Sequence, residues 1–445
     1  MMKKIAVVFL FLLVNVPAFS QPINLEQARM LALANSSSLA GYESAIRSSI
    51  LDEKNQLYSM LPQVSANYDM SMDYLINWEF INPLDAFSSG VSFSVKQTVF
   101  QGGKSFINKA ISGIATESVR KDAQAAYFNA LDSADNAYYA VLEAASALEA
   151  EEASLQTAVL SLSIAEVRQS SGMINRGDYL EALANKETQE NSRNKARRAL
   201  ALSMAKFKTI TGLQSAELAP IDFTAYEDAI AYLAAVTDEI ADKLYEYFLN
   251  IMASDNPSLA KAALDSKKAE MNHTLIKRDY APKIDVTIFS SRFGYSTVKG
   301  FNSLSNGGIS ITGTIPVDFW VLNNRLEKSR IARDTVASNL SDKQDSLELE
   351  LLDALSNVFT QAGSVISLRR SLEYMESHFS YVLERYRLSQ SSVADLNSAV
   401  SSLISARNNL SRASYSFLKS ISSIRSLCAM DDEQRLLKIL SGDFF

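Results

Sequence analysis

Cysteine and histidine are nearly absent: Cys428, His273 and His378 are the only ones in 445 residues. An internal disulfide is excluded, and a His/Cys metal centre, which needs about four ligands, has no material to form from. Neither a nucleophile motif nor a phosphate loop is present, and no paired carboxylates occur outside two short turns, so an enzyme is not expected. The formal net charge is −7, and it deepens by two if Lys3 and Lys4 leave. A nucleic-acid partner is therefore not expected. Beyond position 20 no apolar run reaches the ~18 residues that a membrane-spanning helix needs. All eight prolines lie outside Leu84–Ala219 and Val317–Phe445.

What is present begins with a secretory signal over residues 1–20: Lys3-Lys4, the apolar run Ile5–Val14, and Ala18-Phe19-Ser20 before a cut at Gln21. No cysteine stands at that cut, so a lipid anchor there is excluded. The mature chain is expected outside the cytoplasm, either soluble or held in a membrane by strands.

The chain is also duplicated. Leu39-Ala40 and Pro62 recur 220 positions later as Leu259-Ala260 and Pro282, while Arg168, Gly172 and Asp178 recur 217 positions later as Arg385, Ser389 and Asp395. A repeat of this size implies two similar structural halves. The boundaries are 21–256 and 257–445. The first half holds a strand pair at about 62–100, a helical hairpin at about 104–212 and an irregular segment at 214–256. The second holds a strand pair at about 282–317, a hairpin at about 325–427 and a C-terminal tail.

The proline-free stretches are rich in Ala, Leu, Ser, Glu and Gln, and read as long helices. Apolar residues recur every seven positions at Ala134, Val141, Leu148, Leu155 and Leu162. They do so again at Leu351, Val358, Val365, Leu372, Phe379 and Tyr386, and from Leu396 through Leu403, Leu410 and Phe417 to Ile424. That spacing predicts coiled-coil-like packing. A helix from about Phe106 to Ser170 would measure roughly 100 Å. Polar turns at Ser170–Gly177 and Ser389–Val393 send each long helix back as a hairpin.

Between the helices the period changes to two. Val64, Ala66, Tyr68, Met70, Met72, Tyr74, Ile76 and Trp78 alternate with residues that are polar except Leu75. Alternation returns at Val91, Phe93, Val95 and Val99, at Ile284, Val286 and Ile288, and at Ile309, Ile311 and Ile315. These are strands with one greasy and one wet face. A half-buried sheet in a soluble domain would show the same pattern. The run from Val64 to Phe80 is long enough to cross an outer membrane when tilted, with Tyr74, Trp78 and Phe80 as interfacial aromatics. Four strands cannot close alone, since the smallest membrane barrels have roughly eight, and open edges are not tolerated in lipid. The membrane reading thus requires several chains to share one barrel.

Several motifs follow one another in this frame: Ile23-Asn-Leu-Glu-Gln-Ala-Arg at the start, Leu61-Pro-Gln-Val64, Val99-Phe-Gln-Gly-Gly103, then Arg168, Gly172, Asp178 and Thr211-Gly-Leu213. Their order and the duplication resemble the TolC-type outer-membrane efflux proteins over nearly the whole mature sequence. The resemblance implies an α+β fold with long α-helical coiled-coil hairpins. Each chain would add four transmembrane strands to a shared 12-stranded barrel in a homotrimer. It also implies an exit duct that reaches from the outer membrane into the periplasm, with a periplasmic adaptor (membrane fusion) protein and an inner-membrane exporter as partners. No cofactor is implied.

The same resemblance assigns a periplasmic gate at the hairpin tips. Asp395 matches an aspartate that rings the constriction; Tyr386 and Asp178 match a tyrosine and an aspartate that bond between hairpins. Arg168, Gly172, Arg385, Ser389 and Ser391 are the other tip positions. Ser391 replaces a latch arginine, Ser398 a second ring aspartate, Ser389 a glycine and Thr98 a proline. Three Asp395 carboxylates at a narrow pore would repel one another, raise a pKa and attract a cation. The plainer reading is that Asp395 and Asp178 are helix N-caps. Arg168 and Arg385 are expected to pair with nearby acids, with adaptor contact as an alternative. A periplasmic adaptor or coiled-coil scaffold is the competing function, and flotation with outer membranes separates it from a channel.

Overall fold

Six strands pair antiparallel into one sheet, and most of the other described residues are helical. The computed structural model describes residues 22–72, 87–214, 217–290, 293–296, 300–302, 307–388 and 390–442. The expected signal segment, Tyr74, Trp78, Phe80 and Ser389 lie outside these residues. In order, the elements are α1 (Leu25–Asn35), α2 (Ser37–Tyr58), β1 (Gln63–Met72), β2 (Phe87–Phe100), α3 (Lys104–Ser170) and α4 (Arg176–Thr211). Then come α5 (Glu227–Ala234), α6 (Asp238–Asp255), α7 (Pro257–Lys277), β3 (Lys283–Ser290), β4 (Phe293–Ser296), β5 (Gly300–Asn302) and β6 (Gly307–Thr314). The last are α8 (Phe319–Arg387), α9 (Val393–Leu427) and α10 (Glu433–Leu440). The segment 214–256, expected to be irregular, carries α5 and α6 behind a short 3-10 turn, Phe223–Tyr226.

The chain divides into two compact units, and each draws on both sequence repeats. One contains 41–123 and 258–344; the other contains the first 40 residues, 124–257 and 345–445.

In the first unit β1 pairs with β2, β2 with both β3 and β4, β3 with β6, and β4 with β5. The described segments thus occupy four lanes: β1, β2, β3 with β4, and β6 with β5. Register collects the apolar side chains on one face, because Val64 faces Val95, Val95 faces Ile288 and Ile288 faces Ile309. Val64, Tyr68, Met70, Phe93, Ile288, Ile309 and Ile311 all stand more than half exposed on it. The opposite face carries Ser65, Asn67, Ser94, Lys96, Thr98, Asp285, Thr287, Ser310 and Thr312, with Phe289 as an exception over Gly308. A register shift between Thr98 and Phe100 brings Phe100 opposite Ile284. Just beyond it the first glycine of the Gly-Gly pair has a steric reason. Gly102 has φ +66°, and a Cβ there would lie 2.6 Å from that of Ala281.

In the second unit the heptad stripes are the core. Ala134, Val141, Leu351, Val358, Val365, Tyr386, Leu396, Phe417 and Ile424 are buried. The opening motif is used residue by residue. Ile23 bridges to Leu218, and Asn24 caps α1 in a reciprocal box with Gln27. Arg29 enters an ion pair with Asp135. Gly212 ends α4 in the left-handed region, where Asn35 donates to the carbonyls of Thr209 and Ile210 at 3.0 and 3.1 Å.

Candidate functional site

Two turns built on one plan terminate the hairpins. After α3 the N–H of Met173 donates to the carbonyl of Arg168 at 2.8 Å, and Gly172 takes φ +71°. A Cβ at Gly172 would meet nothing within 4 Å, so backbone conformation is what favours glycine there. After α8 the N–H of Gln390 donates to the carbonyl of Arg385, again at 2.8 Å. The returning helices start alike: Asn175 Oδ1 accepts from the Asp178 N–H at 3.0 Å, and Ser392 Oγ accepts from the Asp395 N–H at 3.1 Å. Asn175 and Ser392 stand 217 positions apart, the same offset as Arg168 and Arg385.

The N-cap expectation is therefore corrected by one helical turn. Asp178 and Asp395 are third residues of their helices, and Asn175 and Ser392 are the caps. Aspartate at that position serves better by returning a bond, as Asp395 Oδ2 does to the Ser392 N–H at 3.0 Å. The Ser391 hydroxyl adds a bond to the same oxygen at 3.2 Å. Asp395 is held below the ordinary carboxylate range, first by the Ser392 backbone N–H, then by the two serine hydroxyls, with Arg385 contributing less. Within one chain, then, the shift opposes the rise expected from a ring of carboxylates. Asp395 is exposed; Asp178 is half-buried, and among the described residues its carboxylate accepts no hydrogen bond.

Above the turns the four helices α3, α4, α8 and α9 share one small core: Ala165, Ala182, Val382, Tyr386, Val393, Leu396, Ala399 and Val400. Alanines on α3 and α4 let the aromatic ring in. Tyr386 is 1% exposed, and its hydroxyl donates to the Ser161 carbonyl at 3.3 Å. The Arg168 guanidinium lies 4.7 Å from the ring centroid and also donates to the Tyr386 carbonyl. A second polar tie joins the returning helices, where Asn185 Nδ2 donates to Asn397 Oδ1 at 2.7 Å.

The structure thus brings Arg168 onto Tyr386 and pairs Asn185 with Asn397. It does not bring Tyr386 to Asp178 within the chain, since the tyrosine hydroxyl is engaged with Ser161. Nor do the two tip arginines form ion pairs among the described residues. Arg168 stacks on Tyr386, while Arg385 donates to the Gln390 carbonyl at 2.9 Å and lies over Tyr381. Sequence reading missed the stacking and the asparagine pair. The only available signals were small residues at Ser161 and Ala165, one turn apart on α3, and an asparagine within the apolar stripe of α9.

A second polar cluster lies away from the turns. Asp135, fully buried on α3, accepts from Arg29 Nε at 2.6 Å, Arg425 Nη2 at 2.8 Å and the Ser422 hydroxyl at 2.8 Å. Glu433 accepts from Arg29 Nη1 at 2.5 Å and from the Tyr226 hydroxyl at 3.2 Å. These bonds tie α1, α9 and α10 to α3. No group of His, Cys, Asp and Glu with the arrangement of a metal site occurs among the described residues.

Residues 249–429 match the sequence model of the family described as Outer membrane efflux protein. Outer membrane protein TolC of Escherichia coli (strain K12) is 20% identical over 455 residues, covering 98% of this chain and 89% of its own length. The solved outer-membrane channel OprN superposes with a TM-score of 0.74 at 15% identity, covering 91% of this chain and 89% of its own. The Campylobacter jejuni CmeC outer membrane channel gives 0.73 at 15% identity, with 95% and 90% covered. The structural likenesses are likenesses of fold.

Proposed function

We propose that the chain is an outer membrane efflux protein, as the match over residues 249–429 and the likeness to TolC support, and that it forms the exit duct of a tripartite efflux or type I secretion system. It sits in the outer membrane with a large periplasmic helical part, and it transports without catalysing. The observation that carries the duct reading is the two-faced sheet. An apolar face with Ile309 and Ile311 more than 70% exposed suits lipid, and a serine- and threonine-rich face suits a water-filled lumen.

The edges of the sheet lead to the assembly. Among the described residues β1 and β6 each have one unpaired side, and lipid does not accept unpaired backbone groups. Neighbouring copies supply the missing partners, three chains closing one barrel. Energy comes from an inner-membrane exporter reached through a periplasmic adaptor, since the wall itself holds no nucleotide motif.

The hairpin turns are the periplasmic gate in this reading. Asp395, kept anionic by its capping box, lines the constriction with Asp178, and Arg168 and Tyr386 hold the two hairpins of one chain together. The test is fractionation of the mature protein. Recovery with outer membranes after a urea or carbonate wash, and release only by detergent, supports the reading. Release into the soluble periplasmic fraction would return the chain to a scaffold or adaptor role.

A further inference from the structure

The protein is acidic overall, with a formal charge of −7, yet the four connections between strands and helices taken together have the opposite sign, the excess lying in 96–104 and 277–285. Across 58–63, 96–104, 277–285 and 314–325 there are six cations, Lys96, Lys104, Lys277, Arg278, Lys283 and Arg325, against the acids Asp279, Asp285 and Asp318. All four connections belong to the same compact unit. Such a reversal within one band is a local field rather than an average of composition.

On the wet face of the sheet the excess has a defined geometry. Asp285 is 8% exposed. Its Oδ1 accepts from the Thr98 hydroxyl at 2.7 Å, and its Oδ2 receives both Lys96 Nζ and Lys283 Nζ at 3.1 Å. Thr98, noted above as standing in place of a proline, lies directly opposite Asp285 in the register. Proline has no side-chain donor, so the threonine is what fixes the second carboxylate oxygen. One oxygen shared by two ammonium groups leaves each lysine with donors to spare. The lysine side chains are 48% and 45% exposed.

A second group repeats the ratio beside it. Asp279 pairs with Lys104, the first residue of α3, at 2.5 Å and with Arg325, the seventh residue of α8, at 2.8 Å. The other acid on the wet face of β1 is Asp69. It lies about 20 Å along the strand from the Gln63–Lys96 pair at ~3.3 Å per residue, beyond the screening length of about 10 Å in 0.1 M salt.

We propose that Lys96 and Lys283, held on Asp285, form an anion-selecting collar where the strands meet the helices, favouring passage of cargo that bears carboxylate or phosphate groups. The collar rests on the duct reading, in which the wet face lines the lumen and is repeated around it by each chain.

The experiment is the reversal potential of the full mature protein in planar bilayers under a potassium chloride gradient near 0.1 M. The double variant Lys96→Gln/Lys283→Gln is expected to lower the chloride-to-potassium permeability ratio by about twofold or more, and Asp285→Asn to raise it. Both shifts are expected to shrink at about 1 M salt, where the screening length is ~3 Å. Opposite signs for the two variants separate charge from general disturbance of the sheet. Conductance with an unchanged ratio, or with both variants moving the same way, overturns the collar and leaves the duct intact. Absence of any conductance overturns the duct reading and the collar with it.

Discussion

Arg168 closes over the ring of Tyr386, its guanidinium 4.7 Å from the centroid, and thereby joins the first hairpin of the chain to the second. A partly desolvated cation–π contact contributes about 1–2 kcal/mol, and the hydroxyl bond to Ser161 about 1 kcal/mol. Arg168→Ala removes the stack and should raise the resting conductance and the protease sensitivity of the turns. Tyr386→Phe keeps ring and stack and should give a clearly smaller effect. A larger effect of Tyr386→Phe than of Arg168→Ala would assign the hold to the hydroxyl rather than to the arginine.

Asp395 sets a pH dependence of known sign. Its folded pKa lies below the ordinary value, so its contribution is complete above about pH 4 and is lost as pH falls through the lower folded value. Hydrogen exchange at the start of α9 should be protected at pH 5 in the native chain and faster in Asp395→Ala. In bilayers the same variant should show weaker block by divalent cations. Unchanged exchange would remove the capping box, and unchanged block would remove the ring.

Asp135 is the point at which stability concentrates. Removing it leaves Arg29 and Arg425 facing each other without their shared carboxylate, and breaking a buried ionic group of this kind costs about 3–5 kcal/mol. Asp135→Ala should lower the urea midpoint of the detergent-solubilised protein by a corresponding amount. Ser422→Ala, which deletes one hydroxyl bond to the same carboxylate, should cost about 1–2 kcal/mol.

Gly102→Ala tests the bend that leads from strand to helix. The substitution asks an L-residue to hold φ +66° and drives a Cβ to within 2.6 Å of Ala281. Together these cost about 2–4 kcal/mol. Gly172→Ala also meets a positive φ but no neighbour within 4 Å, so it should cost about 1–2 kcal/mol. Thermal unfolding of the two variants checks the order.

Much of the fold was legible because two periods dominate the chain. Seven-residue spacing marked Leu351, Val358 and Val365 as core because burial enforces it, and two-residue spacing marked the lanes of the sheet because successive side chains of a strand take opposite faces. Helices α5 and α6, of 8 and 18 residues, were missed because neither is long enough for a seven-residue period to accumulate as it does in the hairpins. The caps were misplaced by one turn because Asn175 and Ser392 are equally good caps standing three positions earlier.

The tip cluster was less legible for a different reason. Heptad spacing says which face of a helix is buried, but not which faces meet. Arg168 and Tyr386 lie 218 positions apart, and Asp135 lies 106 from Arg29 and 290 from Arg425. Pairings of that kind are decided by assembly of the helices, and one sequence carries no sign of them. The Lys96–Asp285–Lys283 arrangement is similar: each residue was visible, but only strand register puts them on one carboxylate.

The central claim is that the two-faced sheet is one part of a barrel shared between chains. The most direct test is the mass of the mature protein, extracted from the outer-membrane fraction in detergent, by size-exclusion chromatography with light scattering. The account predicts three chains per particle and precipitation when detergent is withdrawn. A monodisperse monomer that stays in solution without detergent would contradict it.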